Sequence, residues 1–595
     1  MKRWTYLVIV FLCLAGSLRA LSAFSNDELR APPTPDRLNE IERAAAASGW
    51  RGLAAPLQAA AFRAYESDSQ STEAWFLLSR WAEIFGTTDA EFLPRWIDTI
   101  NQLHVNHANM PAKYPVYNQP LSSHVSPALQ AWLLANTDFS AEFFSQLSPC
   151  DLLTNSFDIL SQLQARYPDK FPIYQNLALA IALVYDVPPP TDWPHSQVSS
   201  SVLPRRLPAP ADAFGFWVRA DENGRTLQHL AQLSAAELKF VVDSPTPAAE
   251  LEWAQTNVSI PLSVFGKIYN IVRYRVDRVQ QDQYVWPYDH YDLATIVNKG
   301  GICVDQAYFS CEVGKAKGVP TLLFAGAGHD ARHAWFGYLD QSRRWQLDAG
   351  RYTEEQFITG LAIDPQTWGY LSDHELKFLA EGFRLYAPWR QACLNEDFAA
   401  AYLVVGNLKA AARAARAAVS YDSRQLHAWE TLLTAESKLG ASPLEIENLL
   451  REMKVAFRNY PDLEAPVVHQ IAASMRARGE TSAADFEEEQ FAQKVAPTRS
   501  DLNLDHEIET IQHSMAQDPI DAQLRTYYAL LKSSGSGAGI EFFDRIVRPF
   551  AENLKQRGYP REALQAAQQA QSVLSIKPNS QLEEEMNLLL AQLKS

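Results

Sequence analysis

Gly300-Gly301-Ile302-Cys303-Val304-Asp305-Gln306-Ala307, followed by His333-Ala334-Trp335 and then Leu347-Asp348, is the part of the sequence whose reading decides the fold. Two glycines permit a tight turn into a helix whose first turn carries Cys303. A helix N-terminus offers unpaired N–H groups and partial positive charge, so it favours a thiolate and is expected to lower the cysteine pKa. Lys299 and a protonated His333 would act in the same direction. The thiolate is the reactive form of the residue, and the same N–H groups can hold an oxyanion. Residues 333–339 and 344–347 read as a hairpin pair around Asp340-Gln341-Ser342-Arg343, and residues 319–324 as the strand before them. The ends of paired strands are neighbours, so Asp348 is expected to orient the His333 imidazole in a Cys–His–Asp triad.

Outward from this block the texture changes. Residues 37–186 are helical in pattern, with Ala-rich and Leu-rich runs such as Leu77-Leu78-Ser79-Arg80-Trp81. Proline is dense between 187 and 211, which prevents regular helix and central strand, and the stretch reads as a connection. Helix is expected again over 226–239. Residues 26–36 carry three prolines and read as a linker. On the C-terminal side, Ala411, Ala415 and Ala418 share one helix face, and Ala428-Trp429 begins a partner helix. Gly558-Tyr559-Pro560 with Ala563, Ala567 and Ala570 repeats the scheme. These pairs resemble degenerate tetratricopeptide-like hairpins. Residues 533–537, Ser-Ser-Gly-Ser-Gly, read as an exposed break.

The blocks around Cys303, His333 and Asp348 resemble the transglutaminase-like superfamily, whose architecture is papain-like. The resemblance covers roughly residues 251–352. It implies an α+β core in which Cys303 is the nucleophile, His333 the general base and acid, and Asp348 the orienting residue. It also implies a further oxyanion donor among upstream aromatic or amide side chains. Gln283, Tyr284 and Trp286 are the candidates, with Trp335 beside them at the cleft. Arg332 stands where the family often has glycine. No acidic cluster suggests the calcium sites of animal transglutaminases. His329-Asp330-Ala331-Arg332-His333 imitates a zinc-binding pattern, but that pattern needs a helix, and glycines before it with a β-like run after it argue against one. No metal and no cofactor are expected.

The 595 residues suggest several domains, and 47% hydrophobic with 21% charged residues is the composition of an ordinary folded protein. The net charge of −16 argues against general nucleic-acid affinity. Lys2 and Arg3 precede an apolar run over 6–15, with Ala20 and Ala23 beyond it, which reads as a signal peptide cleaved near those alanines. An exported, periplasmic or extracellular protein without a membrane span in its mature chain is expected. Cys150, Cys303, Cys311 and Cys393 then remain, too scattered for a disulfide framework. Cys303 and Cys311 lie about 12 Å apart along a helix, beyond disulfide reach.

The expected organisation is a signal peptide (1–23), a linker (24–36), an N-terminal helical region (37–247), a transglutaminase-like α+β domain (248–385) and a C-terminal helical region (386–595). The expected function is acyl transfer or hydrolysis at amide bonds of protein or peptide substrates, peptidoglycan peptides included. The alternative is a non-catalytic binding or assembly protein whose helical repeats hold a protein partner.

Overall fold

The computed structural model describes residues 23–102, 118–353, 359–495 and 499–594. The signal-peptide reading falls on residues 1–22, outside the described residues. Among the described residues the chain is mostly helical, with one small antiparallel sheet.

The N-terminal helices begin at Pro35–Ser48, which Thr34 caps by accepting the Arg37 N–H. The expected linker is thus partly structured: it holds a 3₁₀ turn, Glu28–Arg30, whose Leu29 is buried. The following helices bury aromatic rings against one another, with Trp81 about 5 Å from Phe85 and Phe143. The helix expected over 226–239 is a short 3₁₀ turn, Leu230–Gln232, and then Ala235–Val242. A Ser234–Glu237 capping box sets that later start.

Cys303–Ala316 is the central helix, and every residue after Cys303 in it is buried. Against it lies the sheet, in the order β3-β2-β1-β4-β5. Its strands are β1 Thr321–Ala327, β2 Arg332–Leu339, β3 Trp345–Ala349, β4 Leu361–Ile363 and β5 Tyr370–Ser372. β1 and β2 form a full hairpin from Thr321↔Tyr338 to Ala327↔Arg332. The strand expected at 319–324 runs later because the hairpin stays paired up to the glycine-rich tip. The short β4 and β5 carry no sequence alternation long enough to read.

Helices Ala387–Val404, Leu408–Tyr421 and Leu426–Leu439 follow as antiparallel neighbours, with the alanine face of the second buried. They return to the N-terminal helices: Phe62 stacks on Tyr402 at 4.3 Å and Tyr65 on Phe398 at 4.2 Å. One continuous core therefore runs through the N-terminal helices, the sheet region and the first C-terminal helices, as far as Ile471. A second core, from Leu504 to Leu593, belongs to a terminal bundle. The main core continues past residue 386 to Ile471. Within the bundle, helix Ile520–Phe542 runs through the stretch read as a break and kinks at Gly539.

The N-terminal helices, β4–β5 and helices 387–477 surround a concave space of about 3540 Å³. Cys303 and His333 do not line it. Among the described residues, no helix is long and apolar enough to cross a membrane.

Candidate functional site

The turn into the central helix is built by backbone geometry. Gly300 has φ +75°, and a Cβ there would meet the Arg273 carbonyl oxygen at 2.5 Å. The Gly301 N–H donates to Arg273 O and its carbonyl accepts from Arg275 N–H, which straps the turn to the preceding segment. Cys303 is the first residue of the helix and the only partly exposed one.

Asp305 locks the turn from inside. Its Oδ2 accepts from Ile302 N–H at 2.8 Å and from Arg278 Nη1 at 2.7 Å, and its Oδ1 accepts from the Tyr291 hydroxyl at 2.9 Å. The Tyr291 oxygen in turn lies 3.0 Å from His195 Nε2. Because the Tyr291 proton is given to Asp305, His195 is the donor to Tyr291. His195 comes from the proline-rich stretch, so that stretch is more than a connection. Burial pushes the His195 pKa down to about 3, and Arg205 adds to the effect, so this ring is neutral.

His333 stands on β2, one residue before Ala334. β3 pairs with β2 only from Phe336 onward, which leaves the Ala334 backbone free on that side. The Ala334 N–H donates to the Cys303 sulfur, and the Ala334 carbonyl accepts from the Tyr269 hydroxyl at 2.7 Å. The same hydroxyl lies 3.3 Å from the Cys303 carbonyl. Tyr269 and Ala334 thus tie the helix start to the strand.

The imidazole is 6% exposed and stacks on Tyr352 at 4.2 Å. Its Nε2 is 2.8 Å from the Gly350 carbonyl. A carbonyl only accepts, so Nε2 carries the proton and Nδ1 is the basic nitrogen. Burial lowers the His333 pKa, the Gly350 bond raises it and Arg351 lowers it, with a net downward shift.

Two expectations are corrected. Asp348 does not orient His333. Side chains alternate along β3, which places Asp348 on its exposed side, where it pairs with Arg351 Nη1 at 2.9 Å. The Gly350 carbonyl takes the orienting place. The thiol is also not acidified: burial pushes the Cys303 pKa up to about 11, against the opposing pull of the Ala334, Val304 and Cys303 N–H groups. Lys299 does not assist, since its ammonium lies over the Tyr288 ring. In the resting structure Cys303 and His333 are both neutral at pH 7, and no hydrogen bond joins them.

The four cleft candidates separate. Trp286 is buried under Arg278 and spends its indole N–H on the His290 carbonyl at 2.9 Å. Trp335 is buried, donates to Leu347 O at 2.9 Å and carries Arg351 over its ring. Gln283 is exposed, 3.3 Å from Gln281. Tyr284 is half-buried, and its backbone carbonyl accepts from Arg278 at 3.4 Å. Sequence reasoning missed Tyr269, Tyr352 and Gly350. Of these, only Gly350 has a local signal, a glycine closing a strand. Its φ of +88° turns the chain directly after β3.

Cys150, Cys311 and Cys393 are free thiols, and burial raises the pKa of each. His329 sits in the hairpin tip against Asp330, so the zinc-like pattern is split between a turn and a strand. Among the described residues, no group of three or more His, Cys, Asp or Glu side chains is placed to hold a metal. No protein-family model matches this chain, and no curated protein sequence does.

Proposed function

We propose that the chain is a transglutaminase-like cysteine acyl-transfer enzyme with Cys303 as nucleophile and His333 as base. The observation that carries this reading is the Ala334 N–H bond to the Cys303 sulfur, which sets a partly buried thiol at the start of a buried helix against the strand of His333, whose Nε2–H is tied to Gly350. That tie leaves Nδ1 as the one nitrogen able to take a proton. Since both groups rest neutral, proton transfer accompanies attack. Nδ1 takes the thiol proton as the sulfur bonds to the amide carbon, and the carbonyl oxygen becomes an oxyanion. The N–H groups of the helix start are the donors at hand. The C–N bond then breaks, His333 returns its proton to the leaving amine, and a thioester remains. An amine or water attacks the thioester and releases the thiol. An exported protein, as the signal-peptide reading of the sequence expects, would meet protein or peptidoglycan-peptide substrates.

The test uses the full chain with an activated ester, p-nitrophenyl acetate, and peptide mass spectrometry of the product. An acetyl thioester on Cys303, absent in Cys303→Ala and at least tenfold slower in His333→Ala, supports the reading. Equal labelling of Cys303 with and without His333 overturns it. A glutaminyl peptide with a fluorescent primary amine then separates cross-linking from hydrolysis.

One observation favours the second reading, a binding or assembly protein. The concave space between the two helical regions is large, about 3540 Å³, and lies away from Cys303. That reading expects partner binding unchanged by Cys303→Ala and no thioester.

A further inference from the structure

The strand that carries His333 is held from outside its own sheet. The tip of the β1–β2 hairpin, residues 328–332, is seized by the terminal bundle at successive positions. The Ile540 N–H donates to the His329 carbonyl at 2.8 Å, and the Leu582 N–H to the Asp330 carbonyl at 3.0 Å. The Arg332 N–H donates to Gln581 Oε1 at 3.0 Å. Lys577 pairs with the Asp330 carboxylate at 2.7 Å. The Arg332 guanidinium is gripped by Asp544 at 2.7 Å and Glu585 at 2.5 Å. Gly539 makes the approach possible: a Cβ there would stand 2.0 Å from the His329 oxygen, and its φ of +50° suits glycine. Ala327 packs on the bundle's separate core.

These contacts share a direction. They fall on three residues of the tip, His329, Asp330 and Arg332, the last of them next to His333. The hairpin's own ladder ends at Ala327↔Arg332, so the tip carbonyls would otherwise face solvent.

We propose that Arg332 is a positioning residue, through which Asp544 and Glu585 of the terminal bundle hold the His333 strand against the Cys303 helix. Arg332 touches neither reacting group; it fixes where the base stands. The inference rests on the reading of Cys303 and His333 as the reacting pair. It also gives a reason for arginine at the position where the resembled family often has glycine.

The experiment compares three full-length chains: unaltered, Asp544→Arg with Glu585→Arg, and those two changes together with Arg332→Glu and Arg548→Glu, which restores opposite charges because Arg548 pairs with the same two carboxylates. Two readouts are taken on each. Deuterium exchange over residues 326–336 reports whether the strand is held. The pH dependence of Cys303 acetylation by p-nitrophenyl acetate reports whether the base is placed. The expected result for the double variant is faster exchange, acetylation about tenfold slower and loss of the inflection due to His333. The fully charge-swapped variant is expected to return to within about twofold of the unaltered chain in both readouts. Unchanged acetylation rate and inflection in the double variant overturn the proposal. Faster acetylation also overturns it, since the bundle would then cover the site rather than position it. Should Cys303 take no acetyl group in any chain, the functional reading fails, and exchange alone decides whether the bundle holds the strand; unchanged exchange overturns that too.

Discussion

The thiol and the imidazole are secured by opposite means. Beneath Cys303 lies a buried chain of polar groups, His195, Tyr291, Asp305 and Arg278, linked by hydrogen bonds from one member to the next. Beside His333 lies a partly exposed set of ions, with Arg332 40%, Asp544 26% and Glu585 18% exposed. A buried ion pair is costly to break, because the abandoned charge has no water. A partly exposed one is weak and screened by salt. The nucleophile is therefore built into the main core by buried groups, while the strand of the base is tied in addition to the second core by partly exposed ones.

Breaking the buried side should have the largest effect. Arg278 and Asp305 are each 1% exposed, so Arg278→Met leaves a buried carboxylate without its cation. A loss of about 3–5 kcal/mol in urea unfolding is expected; a loss under about 1 kcal/mol would mean that water reaches Asp305.

His195 comes next. The unfolded chain binds a proton near the ordinary histidine pKa of about 6.5, whereas the folded chain does so only near 3. Stability therefore falls as pH drops through that window, by roughly 2–3 kcal/mol between pH 6.5 and 4.5. His195→Gln should remove this part of the pH dependence, measured by denaturant midpoints at the two pH values. An unchanged dependence would place the acid sensitivity elsewhere.

On the exposed side, Glu585→Ala should cost about 0.5–1 kcal/mol at low salt and less at 1 M salt. A cost above about 2 kcal/mol, insensitive to salt, would erase the contrast between the two sides. The smallest effect is expected from Asp348→Asn, within about 0.5 kcal/mol in stability and within twofold in Cys303 acetylation. A large loss of acetylation there would restore Asp348 to the orienting role.

The order of turn, helix and hairpin was legible because glycine pairs, β-branched and aromatic runs and a four-residue hairpin turn act locally. The third partner of His333 was not, because it is a backbone carbonyl, and no residue type announces one. Asp348 misled through its position in the chain: strand alternation, which decides the face, could not be counted across the irregular pairing of β2 with β3. The Cys303 pKa was misread because helix-end charge is visible in sequence, whereas burial, the larger effect here, is a property of the packed molecule. His195 looked like part of a connector, because proline density shows what a segment cannot form and not where it inserts. Contacts of the terminal bundle with residues 329–332 span more than 200 positions of the chain and leave no local trace.

The most direct measurement is the pH–rate profile of Cys303 acetylation in the unaltered chain, in His333→Ala and in Asp348→Asn. A neutral thiol paired with a neutral base requires a rate that rises with pH through an inflection below about 6.5. That inflection should vanish in His333→Ala and survive in Asp348→Asn. A rate that merely follows thiolate formation toward pH 11, alike in the unaltered chain and in His333→Ala, would contradict the assignment of His333 as the base.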